Sequence, residues 1–412
     1  MNIPAAGVQR RYVNHKSRYD AATQRVLCSG RVLNGPETGN LCGDWKAESQ
    51  LHTLPVNSGT GAISIALRAI RHEYPDRSPV VAIPALVPSA VPSAALSAGY
   101  EIVFVDVKHD CQIDPESLKE ALHNTPDISV VIAVHMFGSQ YDVARVAHVI
   151  AMHRNQGHGM TLIEDCSHAH GLYLGEDNTP IERMLPVGCT GEYAVFSCYP
   201  TKNLPAFGDA GLLCSTSIPR LKIARMISQY GWNGVSKTSD IQGSNYRMDE
   251  LQAAYLRIGI DRLRGWNTRR EEIAEHYFSE MSHDDVRHIF EGEHSVHHQY
   301  VLELIEPDQR NSVYFELQNR GVFCGIHYDP PAHKHPAFSK PAASRGVAAW
   351  RFLDHIKKSS FCLPMAERLA SRVISLPCYP ELTDNEVEYI VEAFNETIRS
   401  NVVHPWGSRV SG

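Results

Sequence analysis

The chain has 412 residues, of which 39 are Lys or Arg and 46 are Asp or Glu, so its formal net charge is −7 with histidine neutral. Hydrophobic residues make up 43% and charged residues 21%, which excludes a disordered or fibrous protein and is typical of a globular one. The mildly acidic balance argues against a nucleic acid as the main partner, and no apolar run is long enough to span a membrane.

Residues 1–50 show weak hydrophobic periodicity, and we expect them to form an N-terminal arm packed on the body. Within this arm the run RRYVNHKSRYD is basic and aromatic, which we interpret as a solvated arm or a dimer contact. The first residues lack the apolar run of a signal peptide. The ten cysteines contain no CxxC pair, so they indicate neither a zinc ribbon nor a disulfide scaffold. Reduced cysteines and a cytoplasmic location are expected.

Residues 51–247 alternate between apolar runs and amphipathic helical segments, which predicts a large α/β domain with a mostly parallel sheet between helices. The apolar runs are continuous, as in strands buried on both faces. They occupy residues 80–87, 100–107, 128–137, 160–166, 193–198 and 210–216.

Residues 248–282 predict one long connecting helix, because apolar residues from Leu251 to Ile258 follow the i, i+3, i+4, i+7 pattern. Residues 283–412 predict a smaller α+β C-terminal domain. Its strands are expected at 297–305, 325–328 and 373–380, and its helices at 311–321 and 384–401.

Three short motifs in the large domain carry chemically useful groups. The first is Ser58-Gly59-Thr60-Gly61, which opens a helical segment. Small residues there expose backbone N–H groups and the positive end of the helix dipole, which suits a phosphate. An ordinary helix cap is the alternative explanation of the same residues, and the motif taken alone favours it.

The other two motifs follow buried strands, where ligands bind in open α/β sheets. Asp165 and His168 lie in the segment 163–168, although Asp165 is also explained as a helix cap and His168 as a core residue. Lys202 lies in a turn framed by Pro200 and Gly208. Partial burial would lower its pKa and let the amine form a Schiff base, whereas a surface loop lysine is the alternative.

Together the three motifs supply what pyridoxal phosphate needs from a protein. The lysine would bind the aldehyde, and the carboxylate would keep the pyridine nitrogen protonated so that the ring can accept electrons. The helix N-terminus and a serine hydroxyl would hold the phosphate.

The sequence resembles the DegT/DnrJ/StrS sugar aminotransferases, pyridoxal-phosphate enzymes of fold type I. The similarity runs from about residue 27 to 395. Its most specific parts are YPTKN at 199–203 and GSNYRMDELQAA at 243–254, accompanied by LIEDCSHAHG at 162–171 and GIHYDPPAHKHPAF at 325–338. The resemblance implies that Lys202 forms the Schiff base and then moves a proton between the amino donor and the cofactor. It also implies that Asp165 pairs with the pyridinium nitrogen and that His168 contacts the phenolic oxygen of the ring.

The resemblance assigns further residues to the cofactor and the substrate. Those expected to hold the phosphate are Gly59, Thr60, Ser197 and, reaching into the neighbouring subunit of a homodimer, Asn245. Those expected to border the substrate pocket are His327 and Tyr328, with His333 as a weaker candidate.

Two features depart from the family pattern. Pro88 stands where the family usually has an aromatic residue stacked on the pyridine ring, which would weaken cofactor binding. Segment 38–55 lacks the usual acidic-aromatic pattern, so the pocket entrance and the choice of substrate are expected to be unusual. The histidine runs at 297–298 and 333–335 lack metal-ligand spacing, and no metal site is predicted.

We therefore predict a homodimeric aminotransferase that uses glutamate or glutamine to aminate a keto-sugar, possibly nucleotide-linked, or a keto-cyclitol. Such a product would serve natural-product or glycan biosynthesis. Two alternatives stay open: a dehydratase or other eliminating enzyme on the same scaffold, and a sensor or regulator that binds without turnover. Lys202 favours transamination, because histidine replaces this lysine in dehydratase members of the family.

Overall fold

The N-terminal 50 residues, predicted to be an arm packed on the body, contain three helices. The computed structural model describes residues 1–401 except 155–158, 176–182, 235, 282–283, 291–293, 307 and 340–362. The first helices are α1 (Val8–Asn14), α2 (Lys16–Ser29) and α3 (Pro36–Ser49). Gly30, in a left-handed conformation, ends α2, and Pro36 opens α3, which is the usual placing of these two residue types. Leu41 and Trp45 of α3 are buried, so the arm packs on the body as expected.

A seven-stranded sheet forms the centre of the molecule, in the order β1-β9-β8-β5-β4-β2-β3. Pairing is parallel from β8 through β5, β4 and β2 to β3, and antiparallel from β1 through β9 to β8. The strands are β1 (His52–Val56), β2 (Val80–Pro84), β3 (Glu101–Val105), β4 (Ile128–Val134), β5 (Thr161–Asp165), β8 (Tyr193–Ser197) and β9 (Gly211–Ser215). The predicted mostly parallel α/β sheet is confirmed.

Helices cover both faces of this sheet. They are α4 (Gly59–Glu73), α5 (Ala90–Ser97), α6 (Pro115–Asn124), α7 (Val143–Arg154) and α8 (Ile218–Ser228). One hydrophobic cluster joins α4 and α5 to the sheet, and a second joins α6 and α7 to it, so the strands are buried on both faces. A small hairpin of β6 (Tyr173–Leu174) and β7 (Leu185–Pro186) lies beside the main sheet.

The predicted single helix over 248–282 is wrong, because the structure divides it into α9 (Glu250–Ile260) and α10 (Leu263–Glu280). α9 buries Ala253 and Leu256 against the main sheet's core, whereas α10 buries Ile273 and Tyr277 in a separate C-terminal cluster. The helical segment is thus interrupted after Ile260, and its two parts contribute side chains to two different hydrophobic clusters.

The C-terminal part contains a three-stranded antiparallel sheet of β10 (Val286–His288), β11 (Tyr300–Leu304) and β12 (Val373–Leu376). Its helices are α11 (Gln309–Asn319), α12 (Pro336–Ser339), α13 (Pro364–Arg372) and α14 (Asp384–Asn401). Of the predicted C-terminal domain, 340–362 and 402–412 lie outside the described residues. Among the described residues, no helix combines the length and apolar character needed to cross a membrane.

The strand predicted at 325–328 is wrong. Gly325 makes a single bridge to Ser375, and the chain then turns at His327 and Tyr328. The ring of His327 hydrogen-bonds the Ser375 side chain, Nδ1 to Oγ at 2.8 Å, in place of a continued backbone ladder. This turn faces the end of the main sheet, since the Ala332 N–H donates to the Ala85 carbonyl at 2.8 Å.

Candidate active site

The predicted functional residues meet at the carboxyl ends of β5 and β8. Asp165 is the last residue of β5 and Ser197 the last residue of β8. Ser167 joins the two strand ends, because its backbone N–H donates to Asp165 Oδ1 at 3.0 Å and its hydroxyl accepts from the Ser197 N–H at 2.9 Å. The position follows the rule for ligand sites in open α/β sheets.

The N-terminus of α4 lies directly against Ser197. A β-carbon added to Gly59 would lie 2.6 Å from Ser197 Cβ, so only glycine allows this approach. The Ser58 hydroxyl accepts from the Gly61 N–H at 3.0 Å and caps the helix. The N–H groups of Gly59 and Thr60 precede the first intrahelical bonds and are available to an anion. We call Gly59, Thr60 and Ser197, which are predicted to hold a phosphate, the phosphate site. The helix cap by Ser58 is compatible with an anion bound here.

Lys202 carries an amine adapted for nucleophilic attack. Its turn is closed by the Lys202 N–H donating to the Tyr199 carbonyl at 2.9 Å. Burial lowers the pKa of Lys202 to about 8, although the charges of Asp165 and Cys198 oppose the shift. At pH 7.5 a group with this pKa is about one quarter neutral, against about 0.1% for an ordinary lysine. Lys202 is therefore not an ordinary surface lysine.

Asp165 is 3% exposed. Burial raises the pKa of its carboxyl, and the Ser167 hydrogen bonds and the charge of Lys202 oppose that rise. A buried carboxylate calls for a cationic partner, and a pyridinium nitrogen would be one.

His168 is held in one neutral form. Its Nδ1 accepts from the Phe137 N–H at 3.2 Å, so the proton of the neutral ring is assigned to Nε2. Burial, assisted by the charge of Lys202, lowers the pKa of His168 well below its usual value. The ring therefore offers a hydrogen-bond donor rather than a second positive charge.

His298 is a site residue that the sequence did not reveal. Its ring centroid lies 4.3 Å from that of His168, and its Nδ1 lies 3.1 Å from Asn203 Oδ1. The Asn203 amide in turn donates to the Val296 carbonyl at 2.8 Å. The run at 297–298 was considered only as a metal motif, and spacing alone gives no signal that it faces His168.

His327 and Tyr328 lie within electrostatic range of the same centre. Burial and then the charge of Lys202 lower the pKa of His327 to about 4. Burial and then the charge of Asp165 raise the pKa of Tyr328. His327 Nε2 also lies 3.1 Å from the Gln299 amide nitrogen. The turn at 327–328 thus places two side chains beside the predicted cofactor residues, as a pocket wall requires.

Three predicted residues make their contacts elsewhere in the chain. His333 Nε2 lies 3.1 Å from Glu367 Oε1, within hydrogen-bond distance in the C-terminal part. Asn245 is exposed, and its side-chain oxygen accepts from Arg247 Nε at 3.1 Å. Pro88 is partly exposed and precedes α5, where its carbonyl accepts from the Val91 N–H at 3.1 Å. Their suggested roles stay predictions.

A second polar cluster lies behind Asp165. His135, Glu164 and Cys166 are buried, and their donor atoms lie within 4.8 Å of one another, a spacing compatible with a metal ion. The Glu164 carboxylate, however, already faces His135 Nε2 at 2.9 Å and accepts from the backbone N–H groups of Thr190 and Gly191 at 2.8 and 2.6 Å. These contacts are what a buried carboxylate needs for structural satisfaction.

The geometry fits pyridoxal phosphate. The close approach of Gly59 to Ser197 leaves helix N–H groups and a hydroxyl available to a phosphate, and the buried Asp165 carboxylate suits a cationic partner such as a pyridinium nitrogen. Lys202 would supply the amine that binds the aldehyde.

Comparisons with known proteins agree with this geometry. The model of the DegT/DnrJ/EryC1/StrS aminotransferase family matches residues 14–395. The chain is 30% identical to the erythromycin biosynthesis sensory transduction protein EryC1 of Saccharopolyspora erythraea, over 95% of this chain and 98% of the relative. It is 28% identical to the dTDP-3-amino-3,4,6-trideoxy-alpha-D-glucose transaminase of Streptomyces venezuelae, over 96% of each.

A solved structure extends the likeness to three dimensions. The structure of S. venezuelae DesV in complex with a ketimine intermediate matches with a TM-score of 0.82 at 28% identity, covering 96% of this chain and 98% of that one. The predicted fold type I architecture is thereby confirmed. Sequence, geometry and comparisons agree, and the chain belongs to the DegT/DnrJ/EryC1/StrS family of pyridoxal-phosphate-dependent sugar aminotransferases.

Proposed function

We propose that the protein transfers an amino group from glutamate or glutamine to a nucleotide-linked keto-sugar or a keto-cyclitol, in natural-product or glycan biosynthesis. The observation that carries the proposal is Lys202, a partly buried amine with a pKa of about 8 that lies within electrostatic range of the buried Asp165. A lysine with these properties suits both covalent attachment to an aldehyde and proton transfer at neutral pH.

Each residue of the site has a distinct task. When bound, pyridoxal phosphate supplies an electron-accepting ring that stabilises negative charge on a substrate carbon. Asp165 would keep a proton on the ring nitrogen, and His168 would donate its Nε2 proton to the phenolic oxygen. The phosphate site would hold the far end of the cofactor. Lys202, released when a substrate amine takes its place, would carry the proton to and from the reacting carbon.

The substrate side is proposed from the turn at 327–328 and from the relatives. His327 and Tyr328 stand beside Lys202 and Asp165 and offer an imidazole and a hydroxyl to a polar acceptor. The transaminase of S. venezuelae is named for a dTDP-linked sugar. A nucleotide-linked sugar is therefore the first class of acceptor to assay, before free sugars and cyclitols.

We further propose a homodimer with a shared site. Isolated β-bridges join Leu33 to Asp249 and Gln229 to Asn245. Segment 243–249 therefore runs between Leu33 and Tyr230, the residue that follows Gln229. Leu33 is 45% and the neighbouring Tyr230 40% exposed, which suits a surface covered by a second copy. The exposed Asn245 would then reach the partner's phosphate. Light scattering of the purified chain tests whether it is a dimer. Asn245→Ala should weaken cofactor binding and leave the dimer intact.

The other proposals concern organisation and location. We keep the predicted division into a domain over 51–247, a helical connection over 248–282 and a smaller domain from 283. A cytoplasmic location is proposed because the described cysteines are free thiols.

The first experiment is the visible absorption spectrum of the purified chain with pyridoxal phosphate, before and after excess glutamate or glutamine. We expect a visible band that bleaches with a donor. Lys202→Ala should abolish this band, and Lys222→Ala, an exposed lysine of α8, should leave it unchanged. Absence of the band in the wild-type chain would refute the assignment of Lys202.

The same experiment separates the alternatives. A band that no amino donor bleaches would favour a non-transaminating binder, a possibility suggested by the relative that is named a sensory transduction protein. Loss of water from a keto-sugar without amine transfer would identify an eliminating enzyme.

A further inference from the structure

Helix α1 is tied to the C-terminal part by two arginine–glutamate pairs. Arg10 binds Glu386 through two hydrogen bonds of 2.6 and 2.7 Å, and Arg11 Nε donates to Glu381 Oε1 at 2.9 Å. This basic run was interpreted as a solvated arm or a dimer contact; a solvated position is wrong for Arg11, which is 2% exposed. The Glu381 side chain is 5% exposed, so this second pair is shielded from water.

Arg11 also reaches the turn that carries Lys202. One of its terminal nitrogens donates to the Pro200 carbonyl at 3.1 Å, and its guanidinium lies 5.3 Å from the ring centre of Trp266. Pro200 lies inside the turn closed by the hydrogen bond from the Lys202 N–H to the Tyr199 carbonyl. The planar fork of arginine allows contact with the carboxylate and the carbonyl at once, which a lysine would not reproduce.

Arg10 provides a comparison within the same helix. Its hydrogen bonds go to Glu386 and the Glu381 carbonyl rather than to the Pro200 carbonyl. A buried pair costs desolvation and adds little net stability, whereas removing one partner leaves an uncompensated charge. Stability alone therefore accounts poorly for the buried Arg11 pair, and the contact with Pro200 gives it a second purpose.

We propose that Arg11, oriented by Glu381, is a positioning residue that holds the Pro200 carbonyl and thereby keeps the Lys202 amine in its desolvated place beside Asp165. The inference rests on the proposed function of Lys202. Without Arg11 the turn would loosen and admit water to the amine.

The electrostatic surroundings of Lys202 make this effect measurable. Its pKa is lowered by burial and raised by Asp165 and Cys198, and Arg11 is not among these causes. The neutral histidines that sense the charge of Lys202 are His168, His170, His298 and His327. A change in the Lys202 pKa on replacing Arg11 would thus act through position and hydration rather than through direct charge.

The test is the pH dependence of attachment of pyridoxal phosphate to the full chain freed of cofactor, followed by stopped-flow absorbance. The rate of attachment to Nα-acetyl-lysine, measured in the same buffers, corrects for titration of the cofactor itself. The variants are Arg11→Lys and the double change Arg11→Met/Glu381→Gln, which leaves no unpaired charge. The matched control is Arg10→Met/Glu386→Gln, which severs the other pair of α1. Circular dichroism shows whether each variant is folded. If the double variant is unfolded, the midpoint of attachment for Arg11→Lys decides the test.

We expect both Arg11 variants to raise the midpoint of attachment by about one pH unit. At pH 7.5 this lowers the neutral fraction of the amine from about 24% to about 3%, and attachment slows about eightfold. The control should keep the wild-type midpoint within about 0.2 unit. Unchanged midpoints in the Arg11 variants, or an equal shift in the control, would overturn the inference. A wild-type chain that forms no visible band would instead refute the proposed function itself.

Discussion

Gly59→Ala probes the phosphate site at its tightest point. The added β-carbon would lie 2.6 Å from Ser197 Cβ and 3.0 Å from Ser197 Cα, whereas carbon atoms in contact prefer about 3.5–4.0 Å. Because Cα belongs to the backbone, no rotamer relieves the overlap, and α4 must move about 1 Å away from β8. Overpacking of this size costs about 1–3 kcal/mol. If this free energy is lost from cofactor binding, the affinity for pyridoxal phosphate falls about 5- to 150-fold.

The assay compares the affinities of pyridoxal phosphate and of pyridoxal, which lacks the phosphate. Gly59→Ala should weaken pyridoxal phosphate more than pyridoxal, since the shift removes helix N–H groups from the phosphate. The control is Gly43→Ala in α3, where an added β-carbon meets nothing within 4 Å. It should leave binding unchanged and stabilise the fold by about 0.5–1 kcal/mol. Wild-type affinity in Gly59→Ala, or an equal loss for both compounds, would show that this contact does not shape a phosphate site.

Three further outcomes follow from the described contacts. The rate of attachment of pyridoxal phosphate should rise with pH and level off above about pH 8, because the neutral amine of Lys202 is the reactive form. A rate that still rises past pH 10 in stopped-flow measurements would contradict the lowered pKa of Lys202. Asp165→Asn removes a charge that raises the Lys202 pKa, so the midpoint should fall below 8, while the half-reaction with glutamate slows about 100-fold or more. Arg10 lowers the pKa of Glu386 to about 2, so the pair stabilises the fold above the ordinary carboxyl pKa and loses this effect as the pH falls towards 2. Glu386→Gln should therefore lower the free energy of unfolding, measured by urea titration, by about 1–2 kcal/mol at pH 7 and by almost nothing at pH 2. An equal loss at both pH values would contradict this reasoning.

The strands of the main sheet were predictable because burial on both faces leaves a continuous apolar run in the sequence. Their ends were less accurate, since a run remains apolar where the backbone leaves the sheet. The run at 128–137 illustrates this: β4 ends at Val134, and Phe137 adopts a positive φ of 59° in the turn that follows. Both segments are apolar, and only their backbone conformations differ.

The site was predictable where neighbouring residues act together, as in the turn before Lys202 and the helix start at Gly59. Contacts between distant segments left no comparable pattern. His298 faces His168 from 130 positions further along the chain, and nothing in the local sequence indicates this pairing. The basic run that contains Arg11 was interpreted as a solvated arm or a dimer contact, yet Arg11 is buried beside Glu381, which lies 370 positions away. Such residues become visible only once the chain has folded.

The separation between Arg11 and Glu381 also orders events during synthesis. The two residues lie 370 positions apart, so at about 5–20 residues per second a ribosome needs about 20–75 s to deliver the second after the first. The contacts of Asp106 are delayed in the same way, because its carboxylate accepts from the N–H groups of Met365 and Ala366, which are synthesised much later. Helix α1 is thus synthesised long before the carboxylate of Glu381 that its Arg11 contacts. Until Glu381 has been synthesised, the nascent chain carries Arg11 without its carboxylate partner, and the support that this pair gives to the turn bearing Lys202 is established only afterwards.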